Sequence, residues 1–361
     1  MDIFSLLRAA KEAGASDLHL VAGTPPQFRV HGLLQPADLP TLTSDEAEQA
    51  FRQLASEEQR VTYQQNLELD FGEDIPAVGR VRCNAARQRG TVSLVIRLLP
   101  SVIPTIGELG LPEICRELVL KRRGLVVVSG PTGSGKSTTL AAMIRHLNNT
   151  ESRRIVTIED PIEYVHLNQN CMVTQRELGS DTLSFAEALK HVLRQDPDVI
   201  LVGEMRDLET AAAALTVAET GHLVLTTGHA PSASQAIDRI IDLFPPYERH
   251  LAQTQLASLI VGVLCQALVP KADGSGRVAA VEVMLANSAV RNLIRDGKIY
   301  QLPNTIRMNA HLGMQLLDKA LVDLYRNSDI DRDSLFSFCN EREEVTKLIG
   351  ESDTFSTTVT R

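Results

Sequence analysis

A chain of 361 residues with 36 Lys and Arg against 45 Asp and Glu carries a formal net charge of −9, and its length suggests two domains. At 43% hydrophobic residues it can build true cores, which excludes a wholly disordered chain. The acidic balance argues against a nucleic-acid binder, because neutralising phosphates takes clustered cations, and 4% aromatics with no Trp leave no stacking platform for single strands. The longest apolar stretch, Ala257 to Val269, is interrupted by Ser258, Gly262 and Gln266 and falls short of the roughly 20 residues a membrane span needs. The N-terminus has no basic segment followed by an apolar one, so a cytoplasmic protein without direct membrane insertion is expected. The five cysteines form no Cys-x-x-Cys pair, and reduced, mostly buried thiols are expected.

In chain order, Ile3, Leu6, Leu7 and Ala10 recur at helical spacing. Asp17 to Leu20 and Gln27 to Val30 read as short strands, and Thr43 with Glu46 reads as a capping box opening a helix that carries Ala47, Ala50, Phe51 and Leu54. Residues 79–85 and 91–98 alternate, with Val81, Cys83, Ala85, Val92, Leu94, Ile96 and Leu98 on one face and Arg80, Arg82, Asn84 and Arg97 on the other; Arg87 to Gly90 suggests a hairpin between them. The first hundred residues thus predict a small α+β domain (1–100), followed by a proline-bearing linker (101–111). Between 112 and 348 the pattern changes. The runs 125–128, 155–158, 199–202 and 223–225 are short, wholly apolar and separated by helical patterns, which predicts a parallel sheet covered by helices on both faces. Capping signals at Ser184 with Glu187 and at Ser232 with Gln235 open two of those helices. After about residue 245 the chain reads as largely helical, and 349–361 as a polar, frayed tail.

Gly130-Pro131-Thr132-Gly133-Ser134-Gly135-Lys136-Ser137 matches the phosphate-loop pattern in full, and it sits between an apolar strand and the helical pattern that begins at Thr138. Glycines let backbone N–H groups curl around a β-phosphate at a helix N-terminus; Lys136 reaches the β- and γ-phosphates and Ser137 holds Mg²⁺ through its hydroxyl. ATP and Mg²⁺ are therefore the expected ligands. Glu159 and Glu163 lie at the end of the next strand, where carboxylates border the ligand crevice of an α/β sheet. Glu204 follows the run 199–202, with Gly203 at the position where an Asp is usual, so magnesium is expected to be met through water or shared with Glu159. His222 and His229 flank the run 223–225; both join the expected nucleotide-binding set, and an imidazole at the strand end can report a γ-phosphate.

These motifs, in this order, resemble the secretion-type hexameric ATPases, and within them the PilT-type twitching-motility ATPases of type IV pili. The resemblance rests also on Gly14-Ala-Ser-Asp-Leu-His-Leu20, Thr157 to Glu163, Leu201 to Thr210, Ala218 to Val224, Ile237 to Asp242, Ala289 to Arg295, Leu312 to Gln315 and Leu317-Asp318. It implies a PAS-like N-terminal domain joined to a RecA-like motor domain with a helical C-terminal part, and a homohexameric ring with ATP between subunits. It implies Glu163 as general base, Glu204 as the acid of the strand before it, His229 as γ-phosphate sensor, and Arg82 and Arg97 as N-domain arginines reaching the nucleotide. The implied activity is ATP hydrolysis that drives pilus retraction, the implied partners are an inner-membrane platform protein and a paralogous retraction ATPase, and Arg291 and Arg295 are expected on a helix that transmits motion. An accessory retraction ATPase, an assembly or type II secretion ATPase, and an ATP-binding platform with little turnover are the alternatives. Assembly ATPases generally carry a longer N-terminal region and a four-cysteine zinc site, which this sequence lacks. The chain departs from the family at Gly228, where a leucine is usual beside the histidine, and in its Ser/Thr-rich tail.

Overall fold

The computed structural model describes residues 2–30, 32–100 and 102–350; residue 101 of the expected linker and residues 351–361 of the expected tail lie outside the described residues. The chain divides into two compact units: residues through Ile103 together with Pro161–Val165, and Pro104–Asp160 together with the residues from His166 on.

The first unit runs α1 (Ile3–Glu12), β1 (Asp17–Val21), β2 (Gln27–Val30), β3 (Leu33–Pro36), α2 (Ser44–Leu54), α3 (Glu57–Asn66), β4 (Glu68–Ile75), β5 (Gly79–Gln88) and β6 (Thr91–Leu98). Its six strands pair in the order β3-β2-β1-β6-β5-β4, every pairing antiparallel. Asp2 caps α1 by accepting from the N–H groups of Phe4 and Ser5, and Thr43 and Glu46 form the complete capping box of α2. The apolar stripes of both helices bury against Leu18, Leu20, Val81, Cys83, Ala85, Val92, Leu94 and Ile96. Period-two alternation then leaves Asp17, Arg82 and Arg97 on the opposite face of the sheet. On that face, Arg80 Nε donates to the carbonyl of Ile162 at 3.2 Å, and Pro161–Val165 belongs to this unit.

The second unit runs α4 (Ile114–Val119), β7 (Gly124–Ser129), α5 (Lys136–Thr150), β8 (Arg154–Glu159), β9 (Met172–Glu177), α6 (Phe185–Val192), β10 (Val199–Val202), α7 (Leu208–Glu219), β11 (Leu223–Thr227), α8 (Ala233–Asp242), α9 (Arg249–Leu259), β12 (Ile260–Pro270), β13 (Arg277–Leu285), α10 (Ser288–Arg295), α11 (Leu302–Met308), α12 (Leu317–Arg326), α13 (Arg332–Phe338) and α14 (Arg342–Ile349). The sheet order is β13-β12-β7-β11-β10-β8-β9, parallel except for β13. Every residue of β7 is buried: Leu125 and Val127 face the core that includes α7 to α10, while Val126 and Val128 face α4 and α5. This is the doubly covered α/β sheet that the short apolar runs predict.

The expectation of a largely helical chain after residue 245 is corrected by β12 and β13. Ile260 to Val269 is apolar at nearly every position, so it has no period that separates strand from helix; pairing with β7 decides it. Edge strand β9 was also missed, because its sequence, Met-Val-Thr-Gln-Arg-Glu, is half polar. β3 and β4 likewise carry no clean alternation, and α3 lacks an apolar stripe, with Tyr63 as its buried residue.

Candidate nucleotide site

Because β7, β11, β10 and β8 are parallel neighbours, their C-terminal ends fall side by side. They deliver the Gly130 loop, Gly228-His229, Gly203-Glu204 and Glu159 to one edge of the sheet. The ladder continues past the strands: the Gly203 N–H donates to the Ile158 carbonyl at 2.8 Å and the Gly228 N–H to the Val128 carbonyl at 2.9 Å.

The loop takes left-handed backbone angles at Gly130 (φ 144°), Gly133 (78°) and Gly135 (86°). A side chain on Gly130 would strike the Gln266 carbonyl oxygen and come within 2.7 Å of Ser134 Oγ, so glycine is obligatory there. α5 begins at Lys136, and its first N–H groups point into the concavity that Pro131, Thr132 and Ser134 help to wall. Lys136 Nζ donates to the carbonyls of Gly130 (2.9 Å) and Pro131 (3.1 Å), which holds an ammonium across the loop's mouth. Ser137 is exposed and Thr138 half-buried on the first turn. Ser134 Oγ is buried with no hydrogen-bond partner among the described residues. A cradle that excludes Cβ atoms, a lysine at its rim, a serine on the first helical turn and an orphaned hydroxyl all fit a bound polyphosphate with its Mg²⁺.

Beside the loop, Glu204 is 9% exposed, ion-paired with Arg206 and within hydrogen-bond distance of His229 Nε2, at 3.2 Å. The His229 backbone is fixed as well. Its carbonyl accepts from Arg239 Nη1 at 3.1 Å, and the next residue, Ala230, is bonded through both its N–H and its carbonyl to Ser129 Oγ, each at 2.8 Å. A Cβ at position 228 would lie 3.1 Å from Ser129 Oγ, so Gly228 lets this clamp sit close. Glu159 accepts from Thr157 Oγ1 (2.6 Å) and Gln175 Nε2 (3.0 Å), which aims it across β9.

The structure does not bring every expected residue to this edge. His222 stands at the opposite end of β11, about five residues or roughly 16 Å from the loop side, bonded to Thr220 Oγ1 (3.0 Å) and the Val217 carbonyl (3.1 Å). Glu163 is half-buried on the segment that belongs to the first unit. Arg82 and Arg97 are directly opposed across β5 and β6, an unfavourable like-charge pair. The register extends the row through Asp17 to Arg29. Arg97 Nε donates to Asp17 at 2.9 Å, while Arg82 has no ion-pair partner among the described residues. Burial pushes the Asp17 carboxyl up, but hydrogen bonds from Arg97 and Ser16 and the Arg97 charge outweigh it, leaving the carboxyl below its ordinary range.

On α10, Val290 and Ile294 are core, and Arg291 donates to the carbonyls of Ala257 and Ser258 at 2.6 Å each, at the C-terminal end of α9 where a cation is favoured. Sequence reasoning missed Ser129, Arg206, Gln266 and Glu282. Glu282, 3% exposed on β13, accepts from the first N–H of α8 (Ala233, 2.6 Å) and of α12 (Leu317, 3.2 Å); burial holds its carboxyl above the ordinary range despite both bonds. Gln266 and Glu282 were visible as polar interruptions of apolar runs, although their partners were not.

A phosphate loop flanked by an acid and a histidine on consecutive ends of a doubly covered parallel sheet, carried behind an α+β domain, defines a P-loop motor of the secretion-ATPase class. The chain matches the family described as Type II/IV secretion system protein over residues 2–296 and belongs to that family. It is 47% identical over 334 residues to the type IV pilus retraction ATPase PilT of Pseudomonas aeruginosa, covering 92% of this chain and 97% of that protein. It is 42% identical over 356 residues to the type IV pilus ATPase PilU of the same organism, covering 98% and 93%. The crystal structure of the pilus retraction motor PilT with bound ADP superposes with a TM-score of 0.90 at 43% identity, covering 96% of this chain and 99% of that one.

Proposed function

We propose that this chain is an ATPase motor that hydrolyses ATP to drive type IV pilus retraction. The observation that carries the reading is the alignment of the glycine cradle, Glu204 and His229 on adjacent parallel strand ends. The full-length likeness to a retraction ATPase supports the direction of work.

In this reading Gly130 to Gly135 and the N-terminus of α5 hold the β- and γ-phosphates, with Thr138 and Glu159 completing the nucleotide shell. Lys136 exchanges its carbonyl partners for phosphate oxygens. Ser137, and Glu204 through water, would hold Mg²⁺, which would supply charge neutralisation at the phosphates. Glu163 takes a proton from the water that attacks the γ-phosphorus as the bond to the ADP oxygen breaks. His229, held by Glu204, donates toward the γ-phosphate, and Arg82 neutralises charge that develops there. His222 has no part in this chain's own phosphate shell. The motor works as a homohexamer on the cytoplasmic side of the inner membrane, acting on a membrane-embedded platform protein. Among the described residues no helix is long and apolar enough to cross a membrane.

Chromosomal Glu163→Gln tests the reading. Purified variant should bind ATP while turnover falls by about 10²-fold or more. Cells should show excess surface pili and lost twitching; bald cells would mean that the chain powers assembly, and equal turnover would remove Glu163 as base. The likeness to PilU over 98% of the chain favours one second reading, an accessory retraction ATPase beside a paralogue. That reading predicts a normal pilus count when the paralogue is present.

A further inference from the structure

Gln266 lies on β12, one residue beyond the Cys265–Ser129 pairing with β7, so register sets it against the first glycine of the phosphate loop. It is 3% exposed. Its side-chain amide is satisfied at both ends by the two sides of the loop–helix junction: Nε2 donates to the Ser134 carbonyl, and Oε1 accepts from Thr139 Oγ1 at 2.8 Å. Thr139 is 2% exposed on α5, which places Lys136 and Ser137 between the two anchor points. The backbone leans on the same residue. A Cβ on Gly130 would meet the Gln266 carbonyl, and one on Gly135 would come 3.1 Å from Nε2.

The consequence follows from peptide geometry. In a trans peptide the carbonyl of one residue and the N–H of the next point in opposite directions. Drawing the Ser134 carbonyl toward β12 therefore turns the Gly135 N–H away from β12, into the concavity of the loop. The next peptide is committed too, since the Gly135 carbonyl accepts the Thr139 N–H at 2.9 Å, so Gly135 is held on both of its sides. We infer that Gln266 is a positioning residue for nucleotide binding: it sets the orientation of the Gly135 peptide so that its N–H serves as a phosphate donor. The inference rests on the nucleotide reading of the loop.

The test compares affinity for a fluorescent ADP analogue, KM and kcat for ATP, and melting temperature in the purified full-length protein. Gln266→Glu keeps the size and the acceptor for Thr139 but sets an oxygen against the Ser134 carbonyl. It should weaken ADP binding by about tenfold or more and raise KM more than it lowers kcat. Thr139→Val unties the far end of the amide and should weaken binding about threefold, and Thr139→Ser should restore it. A folded Gln266→Glu protein with a lowered melting temperature and ADP affinity within about twofold of wild type would overturn the inference, because a purely structural brace predicts that pattern. If Gln266→Glu does not fold, Thr139→Val and Thr139→Ser decide: equal affinities overturn the inference and a restored loss supports it. Wild-type protein that bound no ADP while folded would instead refute the nucleotide reading itself, and this inference with it.

Discussion

The two units build their charged faces in different ways. In the second unit each functional group arrives at the end of a parallel strand, and the order of strands in space arranges groups that are compact motifs in the sequence. In the first unit the row Arg29, Asp17, Arg97 and Arg82 runs across an antiparallel sheet, and its members come from four strands joined only by register. The first arrangement fixes backbone donors and loops; the second fixes the balance of charge among single side chains. The row holds one acid and three arginines, so the cations are unequal: Arg97 and Arg29 share Asp17, and Arg82 keeps its charge available.

The largest effect that could break this comparison concerns the arginines. Arg82→Ala should lower kcat by about 10²-fold, the scale expected for losing a group that stabilises transition-state charge, with the melting temperature little changed. Arg97→Ala should lower kcat far less. Equal losses, or the reverse order, would show that register does not divide their roles; steady-state kinetics on both variants decides.

Ser129→Ala should come next. It strips both partners from a buried backbone at Ala230 and costs about 1–3 kcal/mol of stability. Because it also frees the His229 loop, kcat should fall several-fold at unchanged ADP affinity. A loss of stability with full activity would mean that Glu204 and Arg239 suffice to hold His229 in place.

The smallest effect is electrostatic. The Asp17 carboxyl is depressed below its ordinary value of about 3.9, so its contribution is fully present above that pH and is lost as the pH falls through its lower folded value. Asp17→Asn should cost under about 1 kcal/mol at pH 7, as expected for a pair with one exposed partner, and should flatten the loss of stability below about pH 4. Acid titration followed by circular dichroism measures this; an unchanged acid limb would assign it to other carboxylates.

What could be read in the sequence follows the same division. The four central strands and the capped helices announce themselves through local pattern, and the loop and the acid and histidine motifs are contiguous, so strand order alone assembles them. The apolar run of β12 hides its own state, because a segment buried at nearly every residue shows no period. Asp17 and Arg97 lie 80 residues apart, and only the β1–β6 register brings them together. Ser129 and Gln266 are single polar residues in apolar strands; the sequence shows the interruption, but the partner depends on which strand lies alongside. His222 reads as a twin of His229, yet a strand has two ends, and only one of them holds the phosphate loop.

The return of Pro161–Val165 to the first unit bears on how the protein is made. A ribosome that has completed Ile103 has not yet supplied Pro161–Val165, the segment that belongs to the first unit. At about 5–20 residues per second, the roughly 60 intervening residues take several seconds, during which β7, α5 and β8 emerge. The N-terminal unit is thus completed only after the phosphate loop has been synthesised. A gene cut anywhere between the two separates Arg80 from the Ile162 carbonyl to which it donates. Fusing or exchanging these units therefore requires carrying the five-residue return along with the N-terminal partner.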